Sequence, residues 1–113
     1  MDAKDYQQQA ARTLNYQPHA DLNQLKLANM AMGLAGETGE LVDYLKKYIF
    51  HSHPLDLEKV SDELGDLFWY LNALCTLLEL NAGTVMQANI DKLLERYPHG
   101  FSSQDSIKRV DVK

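Results

Sequence analysis

An apolar repeat in the middle of the chain constrains its fold more than any other feature. Its members are spaced four, three, four, three and four residues apart: Val60, Leu64, Leu67, Leu71, Leu74 and Leu78. This spacing places all of them on one side of an α-helix, forming a seam that is typical of a helix in a bundle. Because no comparable stretch alternates as a β-strand would, the sequence predicts an all-α protein.

Prolines, glycines and capping residues divide the rest of the chain into helices. The predicted helices are a first from about Asp5 to Leu14, a second from Asp21 or Asn23 to about Tyr48, a third from near Asp56 until Asn81-Ala-Gly83, and a fourth from Thr84 to about Tyr97. Asp56 is a suitable N-cap, and Thr84 with Gln87 three residues later matches a capping box. Residues from about 102 to 113 are expected to form an irregular tail.

These elements predict a bundle of four to five helices. The 113 residues correspond to a single domain with a modest core. The long second and third helices are joined by a short loop, so they should lie antiparallel.

The net charge and the polar N-terminus limit the kinds of molecule that this protein is expected to bind. A net charge of -5 makes long nucleic acid a poor partner, although metal ions can bridge an acidic protein to a small polyanion. We expect no membrane partner and a cytoplasmic location, because the chain has neither an apolar signal region nor a stretch long enough to span a bilayer.

Two pairs of acids lie where the antiparallel helices should meet. Glu37 and Glu40 lie mid-to-late in the second helix, and Glu63 and Asp66 lie early in the third. Each pair shares a helix face next to the apolar residues. Like charges in a partly dry place repel one another, and metal binding relieves this. An all-oxygen donor set suits Mg²⁺ or Mn²⁺ rather than Zn²⁺. We therefore predict that these four acids are metal ligands and catalytic residues.

Other interpretations of the acids have to be weighed. Acidic pairs are common on solvated helix faces, so a non-catalytic helical scaffold or partner-binding module is the main alternative. A di-iron oxidase would need Glu-x-x-His pairs, and the residues three beyond Glu37, Glu40 and Glu63 are all acidic. Glycines surround the acids at positions 33, 36, 39 and 65. They indicate close approach, either by a neighbouring helix or by a ligand.

Several polar and aromatic residues are candidates for substrate contact. Asn89, Lys92 and Arg96 share one face of the fourth helix and could bind phosphate oxygens, although a solvated face is the simpler interpretation of the spacing. Lys47 could bind phosphate or complement the helix C-terminus. Trp69 could stack on a base or pack in the core.

Three blocks in the sequence resemble one known family. They are GLAGETGELVDYLKK at 33–47, SDELGDLFWYL at 61–71 and NIDKLLERYPHGF at 89–101. Their order resembles that of the MazG-like nucleoside triphosphate pyrophosphohydrolases, in the all-α NTP pyrophosphatase superfamily. The chain departs from many relatives at Gly36, where two adjacent glutamates are common. The spacing of the two predicted metal ligands Glu37 and Glu40 remains. The additional acid that could serve as a general base is absent at position 36.

The resemblance implies a reaction and a set of residues. The reaction is Mg²⁺-dependent hydrolysis of an NTP or dNTP between the α and β phosphates, which gives the monophosphate and pyrophosphate. The implied metal ligands are Glu37, Glu40, Glu63 and Asp66, and the substrate-side block corresponds to Asn89, Lys92, Arg96 and Tyr97. A homo-oligomer, dimer or tetramer, is also implied, with active sites that can use residues of two subunits. The base, the sugar, the number of metal ions and the acid that activates water stay open.

Overall fold

The computed structural model describes residues 1–15 and 24–112. They form five α-helices: α1 Ala3–Ala10, α2 Gln24–Phe50, α3 Leu57–Leu77, α4 Ala82–Arg96 and α5 Ser103–Lys108. A 3-10 turn, Ala11–Thr13, continues α1. Apart from one isolated bridge between Pro98 and Gly100, the described residues contain no β-structure. The all-α class predicted from the seam is confirmed.

The first three helices follow the predicted boundaries closely where the structure describes them. Asp56 caps α3 as predicted, and its carboxylate accepts hydrogen bonds from the backbone N–H groups of Glu58 and Lys59 at 3.1 and 3.3 Å. Asp2 caps α1 in the same way, at 2.8 Å, so this helix begins earlier than predicted. The predicted start of the second helix at Asp21 or Asn23 lies outside the described residues.

The predicted start of the fourth helix at Thr84 is wrong. α4 begins at Ala82 because Asn81 is its N-cap, and the Asn81 side chain accepts a hydrogen bond from the Thr84 backbone N–H at 3.0 Å. Gln87 does not complete a capping box but donates to Asp91 at 3.0 Å. Asparagine caps a helix as well as threonine does, so the residue pattern alone did not decide between two possible caps three residues apart.

The prediction of an irregular tail over residues 102–113 is also wrong for the part that the structure describes. Ser102 caps α5 by accepting a hydrogen bond from the Asp105 backbone N–H at 3.0 Å. Arg109 then ends the helix in the left-handed conformation, with φ 50°. A serine N-cap followed by an acid in the first turn is a recognisable helix start, and it was available in the sequence.

Contacts at both ends show that α2 and α3 are antiparallel, as predicted. Near the connecting loop, the Tyr44 hydroxyl donates to the Pro54 carbonyl at 3.0 Å and accepts from the Asp56 backbone N–H at 2.6 Å. At the far end, the Tyr70 ring lies against Gly33 so closely that an added Cβ would overlap it. We call this pair of helices the α2–α3 hairpin.

The N-terminal helix packs across the second half of α3. The rings of Tyr6 and Phe68 meet edge to face, with centroids 6.3 Å apart. The Trp69 indole N–H donates to the Thr13 hydroxyl at 2.8 Å and to the Ala10 carbonyl at 3.2 Å. These contacts fix α1 on the hairpin. They do not cover the first half of α3, which carries Glu63 and Asp66.

A single chain covers only half of the α3 seam. Its members alternate between half-buried Val60, Leu67 and Leu74 and exposed Leu64, Leu71 and Leu78. Among the described residues, α4 packs mainly against α1 and not along α2. The radius of gyration is 17.4 Å, whereas a compact domain of this length has about 13 Å. Much apolar surface is therefore exposed in the single chain.

Candidate metal site

Three acids on the α2–α3 hairpin lie close enough to share one metal ion. Glu37 comes from α2, and Glu63 and Asp66 come from α3. One carboxylate oxygen of each lies within 4.8 Å of the others. Both glutamates are half-buried, and Asp66 is exposed. We call these three residues the acid cluster. The antiparallel packing brings them together because α2 runs toward the loop while α3 runs away from it.

The acid cluster contains buried oxygens that lack a partner. Oε2 of Glu37 and Oε2 of Glu63 are buried, and no group in the described residues hydrogen-bonds to them. Buried polar atoms normally have a hydrogen-bond partner, and an uncompensated buried carboxylate is strongly disfavoured. A hard divalent cation would satisfy both oxygens, so the donor set fits Mg²⁺ or Mn²⁺.

The electrostatics of the acid cluster appear in the pKa of Glu37. This pKa is raised from 4.5 to about 7, chiefly by interaction with the neighbouring Glu63 carboxyl and then by burial and by the charges of Glu40, Asp66 and Glu63. Without a cation, Glu37 therefore keeps its proton to near neutral pH.

This shift leads to a prediction about stability and pH. The folded state binds the Glu37 proton more tightly than the unfolded state, so its contribution to stability is present below pH 4.5 and is lost as the pH rises through about 7. In EDTA, we expect the melting temperature to fall across this window. Mg²⁺ or Mn²⁺ should reverse the fall, because a cation favours the charged carboxylates.

The matched variant for this prediction is Glu37→Gln, which cannot titrate. Melting curves at pH 5, 6, 7 and 8 should show a flatter profile for Glu37→Gln than for the wild-type chain. If the two profiles run parallel in EDTA, Glu37 does not titrate in this range.

Glu40, the fourth predicted ligand, lies beside the acid cluster rather than within it. It is exposed on α2 and does not belong to the group within 4.8 Å. Its charge nevertheless reaches Glu37 and raises the pKa of that residue. Glu40 is therefore a neighbour of the site whose carboxylate is free to turn toward a ligand.

The glycines near the acids differ from one another. Tyr70 fills the space beside Gly33, so helix packing explains that position. A Cβ added at Gly36, Gly39 or Gly65 would meet no described atom within 4 Å. Packing within one chain therefore does not account for these three glycines.

Two predicted substrate residues on the hairpin have partners within the chain. Lys47 forms an ion pair with Asp43 at 2.8 Å, and both side chains are about half exposed. Trp69 uses its indole N–H to hold the 3-10 turn, and its ring meets Tyr70 edge on at 5.1 Å. Trp69 therefore packs, while a base-stacking role stays a prediction.

The other predicted substrate residues lie on α4. Asn89 and Lys92 are exposed, and their helix does not pack along α2 within the described residues. Arg96 and Tyr97 lie at the C-terminal end of α4. There Arg96 forms two hydrogen bonds of 2.7 Å with Asp111. Sequence reasoning missed Asp111, because no spacing rule connects a helix end to an acid fifteen residues later.

A comparison with family models identifies the family to which these helices belong. The model described as the MazG nucleotide pyrophosphohydrolase domain matches residues 25–101. The chain belongs to this family. The match covers the α2–α3 hairpin and α4, so the MazG region contains all four predicted acids, and it ends before α5. The family resemblance inferred from the sequence is confirmed.

One curated relative of this MazG chain is a phage protein. It is the "Gene 37 protein" of Mycobacterium phage L5, which is 33% identical over 100 residues, or 84% of this chain and 88% of the phage protein. No solved structure gives a significant match. None of the described helices is long and apolar enough to cross a membrane.

Proposed function

We propose that this MazG chain hydrolyses nucleoside or deoxynucleoside triphosphates to the monophosphate and pyrophosphate, in nucleotide-pool house-cleaning. The observation that carries this proposal is the acid cluster, with its two unpaired buried oxygens. A solvated scaffold face would not leave such oxygens without a partner. Glu37, Glu63 and Asp66 would hold Mg²⁺ or Mn²⁺.

The chemistry assigns a role to each acid. The bound cation would neutralise the triphosphate and polarise the α-phosphate. We assign water activation to Glu40, because it lies next to the acid cluster without belonging to it; Glu37 is the second candidate. Glu40 would accept a proton from water while the water oxygen bonds to the α-phosphorus. The bond from that phosphorus to the bridging oxygen breaks, and pyrophosphate leaves.

The cationic residues would bind the phosphate chain from another direction. Asn89 and Lys92 on α4 and Tyr97 just after it offer hydrogen-bond donors, and Lys47 offers a further cation on the hairpin. Because α4 does not pack along α2 in one chain, we propose that the complete site combines two subunits of a homo-oligomer.

The products test the proposed reaction. We expect phosphorus NMR to show the monophosphate and pyrophosphate as the first products from at least one NTP or dNTP with Mg²⁺ or Mn²⁺. EDTA should abolish the reaction. Orthophosphate as the sole inorganic product would contradict cleavage between the α and β phosphates.

A panel of canonical and modified triphosphates would identify the preferred base and sugar. It also separates the enzyme from the alternative function, a helical scaffold. A scaffold would release no pyrophosphate from any member of the panel, and Mg²⁺ would not raise its melting temperature.

A further inference from the structure

A glycine and a tyrosine meet across the α2–α3 hairpin beside the acid cluster. A Cβ added at Gly33 would overlap the Cδ1, Cε1 and Cζ atoms of the Tyr70 ring. The α2 backbone can lie against this ring only because position 33 has no side chain. Tyr70 is half-buried, and its ring also meets Trp69 edge on, with centroids 5.1 Å apart. We call this close approach the Gly33–Tyr70 contact.

The Gly33–Tyr70 contact lies one helical turn from the acids on both helices. Gly33 comes four residues before Glu37, and Tyr70 comes four residues after Asp66. Residues four apart share a helix face and are separated by about 6 Å along the helix axis. The contact and the acid cluster therefore lie next to each other along the line where α2 and α3 meet.

A second contact crosses the hairpin on the other side of the acid cluster. The Lys59 ammonium lies 4.7 Å from the centre of the Tyr44 ring. Tyr44 comes seven residues after Glu37, and Lys59 comes four residues before Glu63, so both lie on the faces that carry the acids. The Tyr44 hydroxyl also bonds to the connecting loop. The acids thus lie between two contacts, and the close one, Gly33–Tyr70, has no side chain on α2 to yield.

The separation of the two helices matters for a cation because its ligands come from both. Mg²⁺ binds oxygen at about 2.1 Å in near-octahedral geometry, so opposite oxygens around it are about 4 Å apart. Ca²⁺ binds oxygen at about 2.4 Å with flexible geometry, so its opposite oxygens are about 5 Å apart. The oxygens of the acid cluster lie within 4.8 Å of one another. A change of about 1 Å in helix separation would therefore change which of the two ions the oxygens fit.

We propose that Gly33 and Tyr70 are positioning residues that set the size of the cation held by the acid cluster, so that the site favours Mg²⁺ over Ca²⁺. A side chain at position 33 would push the α2 backbone away from the ring and would separate Glu37 from the two acids of α3. Mg²⁺ would lose more affinity than Ca²⁺, because it tolerates less deviation from its preferred distance and geometry. The inference rests on the proposed function for the cation site itself.

Calorimetry with magnesium chloride and with calcium chloride, without nucleotide, tests this proposal. We expect Gly33→Ala to lower the affinity for Mg²⁺ about tenfold to a hundredfold, the range for residues that orient metal ligands. The affinity for Ca²⁺ should fall by a smaller factor, so the preference for Mg²⁺ falls. Simple loss of structure would lower both affinities together. Equal falls for the two ions, or no change for either, would overturn the proposal.

The matched control is Gly39→Ala on the same helix. It brings the same gain in helix propensity, but a Cβ at this position meets no described atom within 4 Å. We expect the preference for Mg²⁺ over Ca²⁺ to stay as in the wild-type chain. A fall equal to that in Gly33→Ala would show that the overlap with the Tyr70 ring is not the cause.

Variants at Tyr70 separate the role of the ring from folding. Tyr70→Phe keeps the ring and should keep the wild-type preference, whereas Tyr70→Ala should lower it. In the Tyr70→Ala background, Gly33→Ala should add nothing, because the ring that it would meet is gone. If circular dichroism shows that Gly33→Ala does not fold, Tyr70→Ala decides the matter, since an unchanged preference there would refute the proposal.

These measurements need no turnover, so their outcome is distinct from that of the proposed reaction. A wild-type chain that binds neither ion would refute the cation site and this inference together. A chain that binds Mg²⁺ but hydrolyses no triphosphate would refute the reaction alone, and the Gly33 and Tyr70 variants would still decide the origin of the ion preference.

Discussion

Glu37→Gln and Asp66→Asn will each reduce turnover by about a thousandfold or more while the helices remain folded. Each change removes one charged oxygen donor from the acid cluster, and metal-assisted charge stabilisation contributes several kcal/mol to such reactions. The fold should persist because the change relieves repulsion between acids that lie within 4.8 Å of one another. Pyrophosphate release measures the loss of turnover, and circular dichroism measures whether the helices remain folded.

The matched control for this prediction is Asp62→Asn. Asp62 is an exposed acid on α3 next to Glu63, and its replacement changes the net charge by the same amount without touching the cluster. We expect near wild-type turnover and the full Mg²⁺-induced rise in melting temperature. Full activity in both Glu37→Gln and Asp66→Asn would refute the assignment of these acids as metal ligands.

The wild-type chain will be a dimer or tetramer in light scattering at micromolar concentration. One chain exposes 8587 Å², whereas a folded monomer of this mass exposes about 6,300 Å². The difference exceeds the roughly 800 Å² that each partner buries in a standard interface. The exposed half of the α3 seam is the most regular apolar surface that a second subunit could cover.

Charge placed on that half of the seam will weaken association. Leu71 and Leu78 are each 48% exposed in the single chain, and burying a leucine contributes about 1.5–3 kcal/mol. Leu71→Lys or Leu78→Lys should therefore raise the dissociation constant at least about tenfold. Gln104→Lys, at an exposed position of α5, supplies the same charge and should have no effect. A wild-type monomer would contradict oligomerisation and the two-subunit site.

Much of the fold followed from local sequence rules. The α3 seam predicted the helix and its class, and Asp56 capped that helix as expected. The rules failed where two signals compete: Asn81 and Thr84 are both good caps, and only the packed chain shows which one is used. α5 was missed because its six residues are too few to show an apolar period.

The candidate site was predictable as a set of residue types but not as a geometry. Spacing placed four acids beside the meeting faces of two helices, and the structure brings three of them together. Which acid stays outside depends on rotation of the helices about their axes, which sequence spacing does not define. The seam likewise shows that six positions are apolar without showing that half of them are exposed in the single chain.

The α2–α3 hairpin has a consequence for the order of folding. Its two helices are adjacent in sequence and joined by a short loop, so the entropy lost on closing it is small. Contacts between neighbouring segments form early in folding, and the Tyr44 hydrogen bonds to Pro54 and Asp56 lie next to the loop where closure begins. All three residues of the acid cluster belong to this one segment. The cluster can therefore assemble before the chain beyond α3 has folded. A cation present during synthesis would then bind to the nascent hairpin.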